Sequence, residues 1–85
     1  MLESNKELNQ KYIEFYKEAF KEEALSKKEK ELIAIGVALG KGCEKCYKFH
    51  LSRALKSGAT NHEIREVIGI AEVVSAGVVR GIVEE

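Results

Sequence analysis

The chain has 85 residues, 45% of them hydrophobic and 33% charged, and its 14 basic and 14 acidic residues give a formal net charge of zero. This size and composition predict one small folded domain over residues 1–85 and argue against a disordered chain. Without a basic excess to hold a phosphate backbone, no nucleic-acid partner is expected.

No membrane span or secretory signal is expected from the pattern of apolar residues. The polar N-terminal segment MLESNKELNQ lacks the apolar centre of a signal peptide. The most apolar run, residues 67–83, is interrupted by Glu72, Arg80 and three glycines, so it is too short and too charged to cross a bilayer. We therefore expect a cytoplasmic protein, in which a Cys-x-x-Cys pair is more typical of catalysis or metal binding than of a structural disulfide.

Helix starts can be read from capping boxes, in which a Ser or Thr side chain and a Glu three residues later bind each other's backbone N–H groups. Three such boxes are present: Ser4–Glu7, Ser26–Glu29 and Thr60–Glu63. Together with the glycines they predict helices over about residues 5–22, 27–40, 43–57 and 61–81. No alternating strand pattern of useful length occurs, so the predicted fold class is all-α with about four helices.

The fourth predicted helix is apolar on nearly all sides between residues 67 and 83. An exposed helix of a small monomer should show a polar stripe, so this helix is expected to be covered on most sides. Gly69, Gly77 and Gly81 lower its intrinsic stability and would allow another backbone to approach. Because 85 residues can barely surround a central helix, we predict a homo-oligomer that packs through this helix.

The segment GCEKCYKFH, residues 42–50, places two cysteines and a histidine on one face of the third predicted helix. Cys46 and His50 are four residues apart, which allows the imidazole to reach the thiol. Cys43 and Cys46 would be about 5–6 Å apart at Cβ in a regular helix, whereas a disulfide needs about 3.5–4.5 Å. A bridge that opens and closes therefore requires Cys43 to lie at the flexible start of the helix, next to Gly42.

A sulfur at a helix N-terminus is also activated by its surroundings. The unpaired N–H groups and the positive end of the helix dipole favour a thiolate, and Lys41 and Lys45 add positive charge nearby. A thiolate is the species that attacks peroxides and disulfides. Two alternatives remain for these residues: three ligands of a zinc site completed by His62, Glu31 or a partner subunit, or simple core packing.

Other residues near the motif have less specific roles. Glu31 precedes an apolar arc on the second helix and is a candidate to pair with His50 and orient it, but a solvated glutamate in the first helical turn is an equal alternative. We expect Tyr47 and Phe49 to pack in the core, with the lining of a substrate pocket as the alternative for one of them. His62 is expected at the surface unless a neighbouring subunit brings it to the site. Glu72 and Arg80 are expected to be solvated or paired at an interface.

The segment LSKKEKELIAIGVALGKGCEKCYKFHLSRALKSGATNHEIREVIGIAEVV resembles the carboxymuconolactone decarboxylase superfamily, on its alkylhydroperoxidase D side. The resemblance covers about residues 25–81, with the motif E-x11-C-x2-C-x3-H followed by A-L-x-x-G-A-T-x-x-E-I, and leaves residues 1–24 as an N-terminal extension. It implies an all-helical obligate oligomer, trimeric or hexameric, with peroxidase (peroxiredoxin) and disulfide reductase activity. The motif aligns its acid with Glu31, its redox pair with Cys43 and Cys46, and its imidazole with His50.

The resemblance has one departure, because Lys45 stands where alkylhydroperoxidase D often has a second histidine. Our interpretation is an antioxidant thiol peroxidase without metal or cofactor, served by a dithiol or protein reductant. His50, oriented by Glu31, takes a proton from Cys46, which attacks a hydroperoxide and is then resolved by Cys43. Exposure favours Cys43 as the thiol that meets the reductant, and an exchange of the two cysteine roles is an open alternative. Alternatives are a decarboxylase-like enzyme using His50 and Glu31 as acid and base, and a non-catalytic, zinc-stabilised oligomeric module.

Overall fold

A computed structural model describes residues 5–84, which form four α-helices: α1 (Lys6–Phe20), α2 (Lys27–Lys41), α3 (Glu44–Lys56) and α4 (Asn61–Val83). No strand occurs in this part of the chain, which confirms the all-α prediction, and each helix end lies within about two residues of its predicted place. None of the helices within residues 5–84 is both long enough and apolar enough to cross a membrane.

Two of the three predicted capping boxes are formed. The Ser26 side chain accepts from the Glu29 N–H at 3.1 Å while the Ser26 N–H donates to the Glu29 carboxylate at 2.7 Å, and Thr60 and Glu63 make the same exchange. The Ser4–Glu7 box lies outside the described residues. The N-cap of α1 is Asn5, whose side chain accepts from the backbone N–H three residues later at 3.0 Å.

Two glycines with positive φ end α2 and follow α3. Gly42, at φ +71°, directs its N–H to the carbonyls of Ala38 and Leu39 and turns the chain so that α3 packs back against α2. Gly58, at φ +96°, lies one residue after the C-cap of α3. A left-handed backbone favours glycine because a Cβ would crowd the following carbonyl.

The hydrophobic core lies between α2, α3 and α4. Its buried residues are Ile35, Ala54, Ala59 and Ile64, and the partly buried side chains packed against them are Leu32, Leu39, Tyr47, Leu51, Val67 and Ile68. In contrast, α1 has no buried residue. The core therefore holds α2 and α3 in a fixed relation, and this relation positions the residues described next.

Several surface predictions can be checked against this packing. Tyr47 packs against the core as predicted, but Phe49 is exposed, so its core assignment is wrong: it lies on the outward side of α3, with the Arg53 guanidinium 5.5 Å from its ring centre. His62 is exposed as predicted, with Glu66 at 3.9 Å. Glu72 and Arg80 are exposed in the single chain, and Arg80 pairs with Glu84 at 2.8 Å; the choice between solvated and interface-paired residues stays a prediction.

Candidate active site

The cysteine pair lies at the start of α3, where the backbone changes from extended to helical. Cys43 is the N-cap residue, with φ −99° and ψ 94°, and this extended conformation lets its sulfur reach Cys46. The two residues form a disulfide with their Cα atoms 5.3 Å apart. The Cys46 N–H also donates to the Cys43 sulfur at 3.2 Å, so the sulfur takes the place of a capping oxygen.

The exposure of the two cysteines is opposite to the prediction. Cys46 is exposed and Cys43 is partly buried. The reason is the tight turn after α2, in which the Cys43 N–H donates to the Ala38 carbonyl at 2.9 Å and holds Cys43 against the end of that helix. Cys46 lies one turn into α3, outside this contact, and is the more exposed of the two residues.

Glu31 is completely buried, at 0% exposure, and both of its carboxylate oxygens are paired. Oε1 lies 2.8 Å from His50 Nδ1 and Oε2 lies 2.8 Å from Arg53 Nε. Because α3 packs along α2, two residues one turn apart on α3 face the same carboxylate. The pairing of Glu31 with His50 is as predicted, whereas the solvated alternative is wrong.

His50 is held on both ring nitrogens and on one ring face. The Glu31 carboxylate can only accept, so His50 Nδ1 carries the hydrogen and, in the neutral ring, Nε2 keeps a lone pair. The Tyr16 hydroxyl lies 3.3 Å from Nε2 and donates to it. The Phe20 ring is nearly parallel to the imidazole, at 6° and 5.5 Å between ring centres. Residues from α1 and α2 thus restrain the orientation of His50, together with the Phe49 ring of α3, which lies edge-on at 5.0 Å between ring centres.

The same contacts shift the pKa values of ionisable groups in this cluster. Burial first, and then the nearby Glu31 carboxylate, raise the pKa of the Tyr16 phenol, so that Tyr16 stays protonated and able to donate at neutral pH. The hydrogen bond to Glu31 raises the pKa of Arg53. Arg53 therefore supplies a permanent positive charge that stabilises the buried carboxylate.

Both cysteines and His50 line one groove with a volume of about 640 Å³. Its other walls are apolar side chains from α1, α2 and the segment between them, with two lysines, and they comprise Ala19, Phe20, Leu25, Lys30, Ile33, Ala34, Val37, Ala38 and Lys41. Glu31 does not line the groove, which is consistent with its position behind His50. A molecule in the groove would meet the disulfide on one side and the imidazole on another.

The zinc alternative finds no support in this arrangement. Both sulfur atoms are bonded to each other, and no group of three or more His, Cys, Asp and Glu side chains within residues 5–84 has the spacing of a metal site. Glu31, one proposed fourth ligand, uses both oxygens on His50 and Arg53.

Three residues of the site were missed by the sequence reasoning: Arg53, Tyr16 and Phe20. A signal for Arg53 was available, because it lies one turn after His50 and therefore on the same side of the predicted helix. Tyr16 and Phe20 lie one turn apart in the first predicted helix, on a face where apolar residues repeat at helical spacing. Nothing in that pattern indicated which other helix the face would contact.

Residues 6–79 match the model of the carboxymuconolactone decarboxylase family. The chain belongs to this family. The match begins at the first residue of α1, so it includes the helix that supplies Tyr16 and Phe20. The division into a core motif region and an N-terminal extension stays a prediction.

The chain is also similar to individual proteins of no stated function. An uncharacterised protein from Cupriavidus necator is 49% identical over 41 residues, and uncharacterised protein 4 in the cox locus of Paracoccus denitrificans is 38% identical over 66 residues. These alignments cover 48% and 78% of this chain but 36% and 60% of the two relatives. A crystal structure of a protein from Methanobacterium thermoautotrophicum is similar with a TM-score of 0.83 and 26% identity, covering 89% of this chain and 87% of that one.

Proposed function

We propose that this protein is a thiol peroxidase that reduces hydroperoxides with its Cys43–Cys46 pair and is recycled by an external dithiol or a protein reductant. The observation that supports this proposal most directly is the disulfide at the N-terminus of α3 in one groove with His50, whose imidazole is paired with buried Glu31. A reversible disulfide beside an oriented base is the arrangement that thiol-based peroxide reduction requires.

The first half of the cycle consumes the peroxide. In the reduced protein, Nε2 of His50 accepts the Cys46 proton, and the imidazolium is stabilised by the Glu31 carboxylate at Nδ1. The Cys46 thiolate attacks the outer peroxide oxygen, the O–O bond breaks, and Cys46 becomes a sulfenic acid. The departing alkoxide takes the proton from His50 and leaves as an alcohol, so the oxidation of one sulfur balances the reduction of one peroxide.

The second half restores the thiols. Cys43 attacks the sulfenic sulfur of Cys46, a disulfide forms, and water leaves. One thiol of an external dithiol then attacks Cys46, and Cys43 departs as the thiolate. The second thiol of the reductant breaks the resulting mixed disulfide, which frees Cys46 and leaves the reductant as a disulfide. The stabilisation of the departing Cys43 thiolate is local. The Cys46 N–H and the N-terminus of α3 stabilise that thiolate, which makes Cys43 the better leaving group. The structure therefore favours Cys46 as the sulfur that meets both the peroxide and the reductant.

The proposal is tested by peroxide consumption in the presence of an external dithiol. We expect Cys46→Ser to abolish consumption, and Cys43→Ser to form a sulfenic acid once and then turn over far more slowly. Ser52→Ala, an exposed change on the same helix, is the matched control and should keep full activity. Full activity in either cysteine variant would overturn the two-cysteine cycle.

A second candidate is favoured by the description of the family itself. A decarboxylase-like enzyme would use His50 and Glu31 as acid and base, with the cysteines incidental. Such an enzyme should keep its turnover of a small lactone acid after both cysteines are changed to serine, whereas the peroxidase should lose all activity. The double variant therefore separates the two candidates in one preparation.

We also propose that the chain works as a homo-oligomer, trimeric or hexameric, packed through α4. Apolar side chains that are each more than half exposed follow the helix from its middle onward, and they are Ile70, Val73, Val74, Val78, Val79, Ile82 and Val83. A Cβ built at Gly69, Gly77 or Gly81 would meet nothing within 4 Å. An apolar surface of this extent supports a subunit interface. Light scattering during size-exclusion chromatography tests it, and a monomer at micromolar concentration would overturn it.

A further inference from the structure

The proton acceptor in the proposed cycle is not free in the disulfide form. Glu31 occupies Nδ1 of His50, so Nε2 is the nitrogen that must accept the Cys46 proton. In the structure, however, Nε2 lies 3.3 Å from the Tyr16 hydroxyl, which donates to it when the imidazole is neutral. A lone pair that already accepts a hydrogen bond is a weaker base toward a second donor. The thiol and the phenol must therefore compete for one nitrogen.

The helix that carries Tyr16 is attached to the rest of the protein through few contacts. No residue of α1 is buried, and its attachment is concentrated near its C-terminal end. There Lys30 Nζ donates to the carbonyls of Ala19 and Lys21, and the Phe20 ring lies nearly parallel to the His50 imidazole of α3 with their centres 5.5 Å apart. The Tyr16 hydroxyl can therefore leave Nε2 without disturbing the core between α2, α3 and α4.

We propose that Tyr16 is a positioning residue that restricts the access of the Cys46 thiol to His50, so that α1 regulates when the cysteine pair becomes reactive. In the disulfide form the phenol occupies Nε2 and holds the imidazole in place. After reduction, the thiol displaces it: the Cys46 proton moves to Nε2, the hydrogen bond from Tyr16 breaks, and Tyr16 keeps its own proton. This inference rests on the proposed function in taking His50 as the base.

The charged and titratable groups near His50 are few, which makes the effect of Tyr16 measurable. Glu31 faces the imidazole from α2. Arg53 lies on α3, as His50 does, and acts through its ion pair with Glu31. Lys30 and Lys41 of α2 border the same groove. Removing the Tyr16 hydroxyl leaves all of these charges in place, so a changed reactivity of Cys46 reports on Nε2 alone.

The experiment uses the full chain in a Cys43→Ser background, in which Cys46 is the single thiol. Its rate of alkylation by iodoacetamide is measured from pH 5 to 10, with and without Tyr16→Phe. The phenylalanine retains the ring that stacks on Phe20 and loses only the hydroxyl. Tyr12→Phe, one turn earlier on an exposed part of α1, is the matched control.

We expect Tyr16→Phe to raise the alkylation rate by roughly two- to tenfold at pH values below the midpoint of the profile. A factor of this size corresponds to the net contribution of one hydrogen bond. The plateau at high pH should not change, and Tyr12→Phe should match its parent. An unchanged or lower rate in Tyr16→Phe would overturn the inference. An equal increase at every pH would overturn it too, because that pattern means that α1 has merely loosened.

This outcome is independent of the peroxide assay. If the protein consumed no peroxide while Tyr16→Phe still shifted the alkylation profile, the proposed function would fail and the role of Tyr16 would stand. If peroxide were consumed and the profile did not shift, the proposed function would stand and the role of Tyr16 would fail.

Discussion

Replacing Glu31 by glutamine tests whether the buried carboxylate holds the site together. A glutamine of the same shape keeps one accepting oxygen but turns an NH2 group toward the other donor, so one charge-assisted hydrogen bond is lost. Such a bond contributes about 1.5–3 kcal/mol. Because the Arg53 side chain is 40% exposed, water can replace the bond to Arg53, and the lower part of that range applies. We expect Glu31→Gln to lower the free energy of unfolding by about 1.5–2 kcal/mol.

In a domain of this size the loss corresponds to a decrease in Tm of about 6–16 °C. The measurement is urea denaturation in reducing buffer at a fixed protein concentration, because association of subunits would shift the apparent stability. Glu66→Gln is the control: its carboxylate is 67% exposed and has His62 at 3.9 Å as its partner, so a change within about 0.5 kcal/mol is expected. If Glu31→Gln had the same free energy of unfolding as the control variant, the reasoning that the Glu31 carboxylate holds the site together would be refuted.

Three further outcomes are expected. Gly42→Ala should lower the free energy of unfolding by about 1–2 kcal/mol in urea denaturation, because alanine is strained at φ +71°. Gly77→Ala should stabilise the isolated chain by up to about 1 kcal/mol; a loss of assembly in the same variant, seen by light scattering, would place another chain against this glycine. Hydrogen bonds to Thr60 and Lys28 lower the pKa of Glu63 below its ordinary 4.5, so its stabilising effect should be present above pH 4.5 and lost as acid protonates it. In an acid titration, the free energy of unfolding of Glu63→Gln should therefore decrease less steeply with falling pH than that of the wild type.

The helices were predictable because their signals are local. Ser26 and Thr60 cap the helices that follow them through bonds within one turn, and this geometry needs no distant partner. The end of α2 was placed near Gly40 but lies after Lys41, because Gly42 rather than Gly40 adopts the left-handed conformation. Propensity alone could not tell which of the two neighbouring glycines would adopt this conformation and end the helix.

The site was predictable only in part. The spacing of Cys43, Cys46 and His50 placed them on one face, because the helix period alone determines that. Glu31 could be proposed from its position beside an apolar arc and from the resemblance to the family. Its burial could not be derived in this way, since burial depends on how closely α3 packs against α2.

The exposure of the cysteines shows where local reasoning fails. An N-cap residue is exposed in an isolated helix, so Cys43 was expected to meet the reductant. In the folded protein the turn at Gly42 packs Cys43 against the end of α2. Cys43 is therefore partly buried, whereas Cys46 is exposed. This contact joins two helices and has no counterpart in the residue pattern of either one.

The amino-acid sequence by itself determined the helical fold class, the helix starts with their caps, and the shared face of the cysteines and His50, because each of these depends on bonds or spacings within a few residues. Only the tertiary structure decided that Glu31 is buried between His50 and Arg53, that Cys46 is the more exposed cysteine, and that the Tyr16 hydroxyl lies beside the remaining nitrogen of the imidazole. These features arise where separate helices meet. The relative position of the helices is set by the packing of the whole core and by the two glycine turns, so no single segment encodes it.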